Sequence, residues 1–310
     1  MSSRPRRGRR DELHGVLVID KPRGMTSAAV LNDLGSRAGV AAAGHTGTLD
    51  PMATGVLPVC LGAATKLAQW LLADDKAYEA ELELGLETDS HDADGTVLRR
   101  DPEGAARVDA AALAAALAGV AAEATQVPPM YSAIKQGGVR LHDLARAGVE
   151  VERAPRLVRI DRFELLDVAL PRARVAITCS KGTFVRGLVR DVGARLGCGA
   201  TLTALRRTAS GRFTLADAVA LVDVTPVSAA ARMIAPARAT GLPSVTVPPS
   251  LWPDVLEGRR IDPALAAAVG DGLFQMLTPA GDILAIAELG GGAIRFHRVL
   301  NYGAVVKPER

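Results

Sequence analysis

The chain has 310 residues, 48% of them hydrophobic and only 3% aromatic, with a formal net charge of +3. That length buries a large core, filled here by aliphatic side chains, and suits one large unit with a smaller one. No apolar run of about eighteen residues occurs, which argues against a membrane span. Three widely spaced cysteines (Cys60, Cys179 and Cys198) with no C-x-x-C pair exclude a disulfide framework and fit reduced thiols of a cytoplasmic protein.

In chain order, residues 1–12 read as a basic tail. Its run Arg4 to Arg10 has no apolar segment behind it, so it is no secretory signal; it is a solvated tail or a loose RNA-contacting arm. Val16 to Asp20 reads as a buried strand, and Ser27 to Ala38 as a helix capped by Thr26 or Ser27. A loop rich in Gly, Thr and Pro, Gly44 to Pro58, leads to a strand at Val56 to Leu61. Tyr78 to Leu84 alternates, with Glu79, Glu81 and Glu83 on one side, which predicts a strand with one wet face. Asp109 to Val120 is an Ala/Leu-rich helix. Val158 to Leu166 and Ala173 to Cys179 read as strands and Phe184 to Leu196 as a helix; Arg206 to Arg212 runs into a further strand, followed by a helix from Leu215 to Leu221. The irregular order of elements predicts an α+β fold with a mixed, largely antiparallel sheet and flanking helices. Pro236, Gly241 and Pro243 mark a boundary between a domain at 13–240 and a β-rich module at 243–310. That module has a helical stretch near Leu251 to Leu256 and strands at Leu273 to Leu277, Ile283 to Glu288 and Ile294 to Leu300.

Charge is unevenly spread along the chain. Asp74 to Glu103 holds eleven acids and three bases; Lys135 to Arg212 holds sixteen bases and seven acids. The split suggests a polyanion-binding face set against a solvated acidic one.

The chemistry-bearing segment is the loop. It presents one carboxylate, Asp50, among glycines that permit close approach of another molecule, with Pro51 fixing the backbone behind it. Taken alone, an Asp-Pro pair is a capped turn. Six blocks in order say more. They are Gly15 to Ser27, Gly44 to Pro58, Asp75-Lys76-Ala77-Tyr78 with Thr88 to Gly95, Gln126 to Lys135, Cys179 to Arg186, and Leu205-Arg206-Arg207. Together they resemble the TruB-type tRNA pseudouridine synthases over nearly the whole chain.

The resemblance implies an isomerase that converts a uridine in the T arm of tRNA (position 55) to pseudouridine without cofactor or metal. Its fold would be of the pseudouridine synthase type, with a PUA-like RNA-binding domain at 243–310. It implies tRNA as the partner, no membrane, no obligate protein partner and a monomer. Residue by residue, Asp50 matches the catalytic aspartate and Arg186 the arginine that pairs with it. A nucleophilic carboxylate must stay ionised where desolvation opposes it, and a paired cation meets that need. Tyr78 matches the tyrosine that stacks on the base, Leu205 an apolar residue that packs against it, and His45 a histidine that contacts the disrupted RNA stack. Lys21 and Pro22 match a supporting motif. Phe184 stands where relatives often have Tyr, keeping a stacking surface without the hydroxyl. The target would be flipped out of the folded arm to be reached.

Two motifs are set aside. Asp89, His91, Asp92 and Asp94 echo a calcium loop, but the helical frame and the terminal Glu are missing, and a turn between strands fits better. Cys179 ends an apolar strand and reads as core. Two other functions compete with the isomerase: a tRNA-folding or chaperone protein, and a carboxylate hydrolase. The hydrolase needs a second paired acid, which the loop does not offer.

Overall fold

The computed structural model describes residues 13–71 and 75–300, so the basic segment at 4–10 lies outside the described residues. A nine-stranded sheet forms the frame. Its strands are β1 (Gly15–Lys21), β2 (Ala43–His45), β3 (Thr54–Leu61), β4 (Lys76–Leu84), β5 (Ile160–Ala169), β6 (Arg172–Cys179) and β7 (Ala200–Ser210), joined by Phe213–Thr214 and Val219–Ala220. The order is β5-β6-β4-β7-β3-β1 and then Val219–Ala220, with β2 alongside β3 and Phe213–Thr214 alongside β7. Pairing is antiparallel except between β7 and β3 and between β1 and Val219–Ala220. The sheet is thus mixed and largely antiparallel, as the sequence pattern predicts.

The helices α1 (Ser27–Ala38), α2 (Ala110–Ala121) and α3 (Val185–Leu196) flank it. Thr26 caps α1 by accepting from the Ala29 amide, and Val30, Leu34 and Ala38, four residues apart, turn inward. α2 begins on an Asp109 cap and buries Leu113, Leu117 and Val120. α3 buries Leu188, Val189 and Val192 against the same core as Leu82, Val175, Ile177 and Leu202 of the sheet. β1 and β3 are apolar at nearly every position because both of their faces are covered. Leu17, Ile19, Leu57 and Val59 join the main core, while Val16, Val18, Val56 and Cys60 join a second cluster behind it.

Two expected elements differ. The strand predicted from Arg206 runs instead over Ala200–Ser210, so that Arg206 and Arg207 lie inside a central strand. No continuous helix spans 215–221; the segment is a one-turn Leu215–Asp217 unit closed by a Thr214/Asp217 capping box, then the short strand Val219–Ala220. Its apolar residues serve two separate turns, which imitates helical spacing over so short a window.

Residues 244–299 form a four-stranded sheet, Ser244–Thr246, Gly272–Leu277, Ile283–Gly290 and Ala293–Val299, with its own core of Val247, Val255, Phe274, Met276, Leu284 and Ala287. A fourth apolar group, Leu67 and Trp70 with Ile283, Ile286 and Leu300, joins this module to the rest of the structure. Among the described residues, no helix is long and apolar enough to cross a membrane.

Candidate active site

Asp50 sits in a loop pinned from both sides. The Ser27 hydroxyl donates to the Leu49 carbonyl (3.1 Å) and accepts from the Leu49 amide (2.9 Å). The Gly24 amide donates to the Pro51 carbonyl (2.8 Å), and the Lys21 ammonium donates to Pro22, Pro51 and Ala53 carbonyls at 2.9, 3.2 and 2.6 Å. The Lys21 side chain is wholly buried, and burial drags its pKa down to about 8 against the opposing pull of Asp50. Pro22 itself is exposed and contributes that one carbonyl.

Opposite the loop, Arg186 lies in the first turn of α3. Its Nε donates to Asp50 Oδ2 at 2.8 Å, while its two terminal nitrogens donate to the Ser90 and Tyr131 carbonyls, each at 2.8 Å. Asp92 Oδ2 stands 3.5 Å from the same Nε. The arginine side chain is 5% exposed and the Asp50 side chain 36%, so the carboxylate is open to a ligand while its counter-ion is sealed beneath it. A fork with every arm engaged has one position only, which fixes the carboxylate oxygen it holds.

Gln126 anchors the start of α3 in turn: its amide oxygen accepts from the Phe184 amide (2.9 Å) and its amide nitrogen donates to the Phe184 carbonyl (3.0 Å). The 89–95 segment is a turn between the paired strands Leu86–Thr88 and Val97–Arg100, as expected. It also has a use that sequence reasoning missed. Ser90 and Asp92 face Arg186, and Ser90 Oγ donates to Asp92 Oδ1 at 2.6 Å. Burial raises the Asp92 carboxyl despite that bond and the nearby Arg186. His91, between them, has a positive φ of 64° and is pushed down to about 4, first by burial and then by Arg190, Arg186 and Arg153. Cys179 is buried, its thiol pushed up to about 11 by that burial, as a core residue should be.

These parts enclose a cleft of about 410 Å³ lined by Asp50, Tyr78, Phe184, Arg186 and Leu205, together with Lys76, Ile134, Lys181, Thr183 and Arg207. Five of the residues singled out from sequence therefore meet at one place. Lys21 lies behind the loop, and His45, on the short strand β2, does not line the cleft; its Nδ1 is buried without a hydrogen-bond partner, and burial followed by Arg207 holds its pKa below the usual histidine value. Tyr78 reaches the cleft from β4. Its direct neighbours across the two flanking strands are Ile177 and Arg207, so all three side chains share a face. Burial raises its phenol.

Such a cleft, with one open carboxylate on a sealed arginine and aromatic and aliphatic walls, suits a flat, uncharged ring presented to a nucleophile. Comparison with known families narrows the chemistry. Residues 36–185 match the model of the TruB family pseudouridylate synthase (N terminal domain), and residues 186–238 that of the tRNA pseudouridylate synthase B C-terminal domain. The tRNA pseudouridine synthase B of Aromatoleum aromaticum is 44% identical over 294 residues, which cover 94% of this chain and 93% of that one. The chain belongs to the TruB family. It is a pseudouridine synthase, an isomerase.

Its counterpart in Stutzerimonas stutzeri is 50% identical over 216 residues, covering 70% of each chain. Among solved structures, a Cbf5-Nop10-Gar1 complex superposes with a TM-score of 0.70 at 25% identity, covering 92% of this chain and 84% of the matched chain. The fold is that of the family.

Site residues that sequence reasoning passed over are Arg207, Gln126, Tyr131, Ser90 and Asp92. All lie inside the ordered blocks that carry the resemblance. Gln126 could have been found as a polar residue directly before the apolar Val127-Pro128-Pro129-Met130 run; Arg207, between Arg206 and Thr208, carries no such signal, and neither do the carbonyls of Ser90 and Tyr131.

Proposed function

We propose that this enzyme acts on tRNA, at the uridine of the T arm at position 55, and that the uridine swings out of its helix into the cleft to meet Asp50. The Asp50 carboxylate, open to the cleft and held at 2.8 Å by the buried Arg186, carries this reading. Tyr78 and Phe184 supply flat surfaces for the base and Leu205 an apolar wall. Isomerisation breaks the N1–C1′ bond, turns the base and joins C5 to C1′; atoms are neither gained nor lost, so the reaction calls for no cofactor. His45, one strand away from the cleft, is placed for the disrupted RNA stack. Lys21 and Pro22 keep the Asp50 loop in shape. The main domain spans 13–240, and the module at 243–310 serves as a PUA-like RNA-binding domain. The protein works as a cytoplasmic monomer with tRNA as its partner. A pure tRNA-folding role is disfavoured by the open carboxylate, which binding alone does not need.

The test is an Asp50→Asn protein incubated with unmodified tRNA, with new pseudouridine mapped by position. Turnover should fall by at least about 10⁴-fold, as for loss of a covalent nucleophile, while tRNA affinity stays within a few-fold. Full turnover by this variant, or pseudouridine appearing outside the T arm, would overthrow the assignment.

A further inference from the structure

The cleft holds a cation that no role above uses. Arg207 is 1% exposed, yet it lines the cleft. Its Nε donates to the Val56 carbonyl (2.6 Å) and one terminal nitrogen to the Gly47 carbonyl (3.2 Å), and Tyr78 is its direct neighbour across the strand pair. Every one of these partners is neutral, and among the described residues no carboxylate forms an ion pair with it. Gly55 is its neighbour in β3; a Cβ there would stand 2.2 Å from the Arg207 carbonyl oxygen, so the two strands close tightly around it. A guanidinium held out of water by neutral partners alone, with no counter-ion, is costly, and an anion arriving beside it relieves that cost.

The proposed reaction delivers such a charge. If Asp50 attacks C1′, a carboxylate oxygen–C1′ bond forms, the N1–C1′ bond breaks, and its electron pair stays on the ring. If the base leaves by elimination, the C2′ proton goes to a carboxylate and the pair again stays on N1. If Asp50 adds to C6, the displaced π pair is spread onto C5 and O4. In each case uridine, neutral on arrival, becomes a ring carrying negative charge. On return, C5 gives its pair to C1′ as the bond to the carboxylate breaks or, after elimination, as the C2′ proton is returned; C5 then sheds its proton, N1 takes one up, and the ring leaves neutral.

We propose that Arg207, beside Tyr78 in the cleft wall, stabilises through its field the negative charge that develops on the uracil ring. This rests on the isomerase reading above. A fixed cation in a water-poor site is worth most where charge appears only during reaction, so it should raise the chemical rate and leave RNA binding nearly untouched.

The experiment compares wild type, R207Q and R207K in single turnover on a T-arm RNA hairpin. The target nucleotide is either uridine or 5-fluorouridine, and loss of the starting nucleoside is followed by chromatographic separation of the digested RNA with mass-spectrometric detection. Fluorine withdraws electrons and makes the ring anion more stable by itself, so it should depend less on Arg207. R207Q is expected to lose about 10²–10³-fold on uridine and at least about tenfold less on 5-fluorouridine, with RNA affinity within about threefold of wild type. R207K keeps the charge and should stay within about tenfold, with the wild-type ratio between the two substrates. A purely structural arginine predicts equal losses on both substrates, and that result overturns the proposal. Should melting show R207Q unfolded, R207K decides: a rate more than about tenfold down, or a changed ratio, also overturns it. Wild type that makes no pseudouridine at all defeats the underlying isomerase reading instead, so the two failures are separable.

Discussion

The Lys21 ammonium shows how the Asp50 loop is tied to a titratable group. Three backbone carbonyls accept from it, and a neutral lysine has only two N–H groups to give. Its folded pKa of about 8 lies below the 10.5 of an unperturbed lysine. Below pH 8 both folded and unfolded chains hold the proton, and between 8 and 10.5 only the unfolded chain does. The unfolded state then binds more protons, so this residue's contribution to stability rises with pH across that window and is lost again as pH falls through 8. Thermal melting of wild type against Lys21→Met should show the wild-type curve gaining on the variant between those limits; parallel curves would mean that the ammonium is not strained by burial. The Asp50–Arg186 pair itself is legible only through the family resemblance, because 136 positions separate the two residues and no spacing rule links them. Backbone acceptors such as the Ser90 and Tyr131 carbonyls leave no trace in residue type, which is why the arginine's other two partners were invisible.

Periodic elements are legible in the sequence, since burial on one face writes itself into the pattern. α1 spans the expected residues, Asp109 caps α2, and the alternation from Tyr78 reports a strand whose acidic side is wet. What failed was the short, unpatterned chain at 215–221, where two turns and a two-residue strand share one apolar window. The start of α3 was placed to within one residue, but not what holds it. Phe184 precedes the helix without a side-chain cap of its own, and both of its backbone groups bond to Gln126, which is 4% exposed. A Gln126→Leu protein keeps the volume and loses both bonds. It should melt lower by roughly 1–3 kcal/mol and turn over at least about tenfold more slowly, because the first turn that aims Arg186 would be released. Equal turnover in a stable variant would show that the helix start is fixed by packing alone. Gly55→Ala probes the neighbouring contact between β3 and β7: with φ at 100° and the Arg207 backbone in the way, it should lower the melting temperature by several degrees or leave little folded protein.

The charge map belongs to the molecule as a whole, and here the linear sequence misleads. Strand pairing brings part of its acidic stretch against part of its basic one. β4 lies beside β6, so Arg172 meets Glu83 at 3.0 Å and Arg174 meets Glu79 at 3.1 Å; Arg159 pairs with Asp75, and Arg206 with Asp20 at 2.8 Å. Exposed pairs of this kind add little stability, but they remove cations from the pool that RNA phosphates would engage. Sixteen bases between 135 and 212 therefore overstate the charge available for binding. A plot of log affinity for tRNA against log salt should have a slope set by a handful of phosphate contacts, nearer −4 than −10 on the usual dependence of about 0.7–0.9 per contact. Reversing one paired acid separates the two accounts. With Glu83→Lys, Arg172 loses its partner and one more cation appears, so the slope should steepen by one to two while turnover at low salt holds. A slope already near −10 in the wild type would mean that the paired arginines exchange their carboxylates for phosphates when RNA arrives.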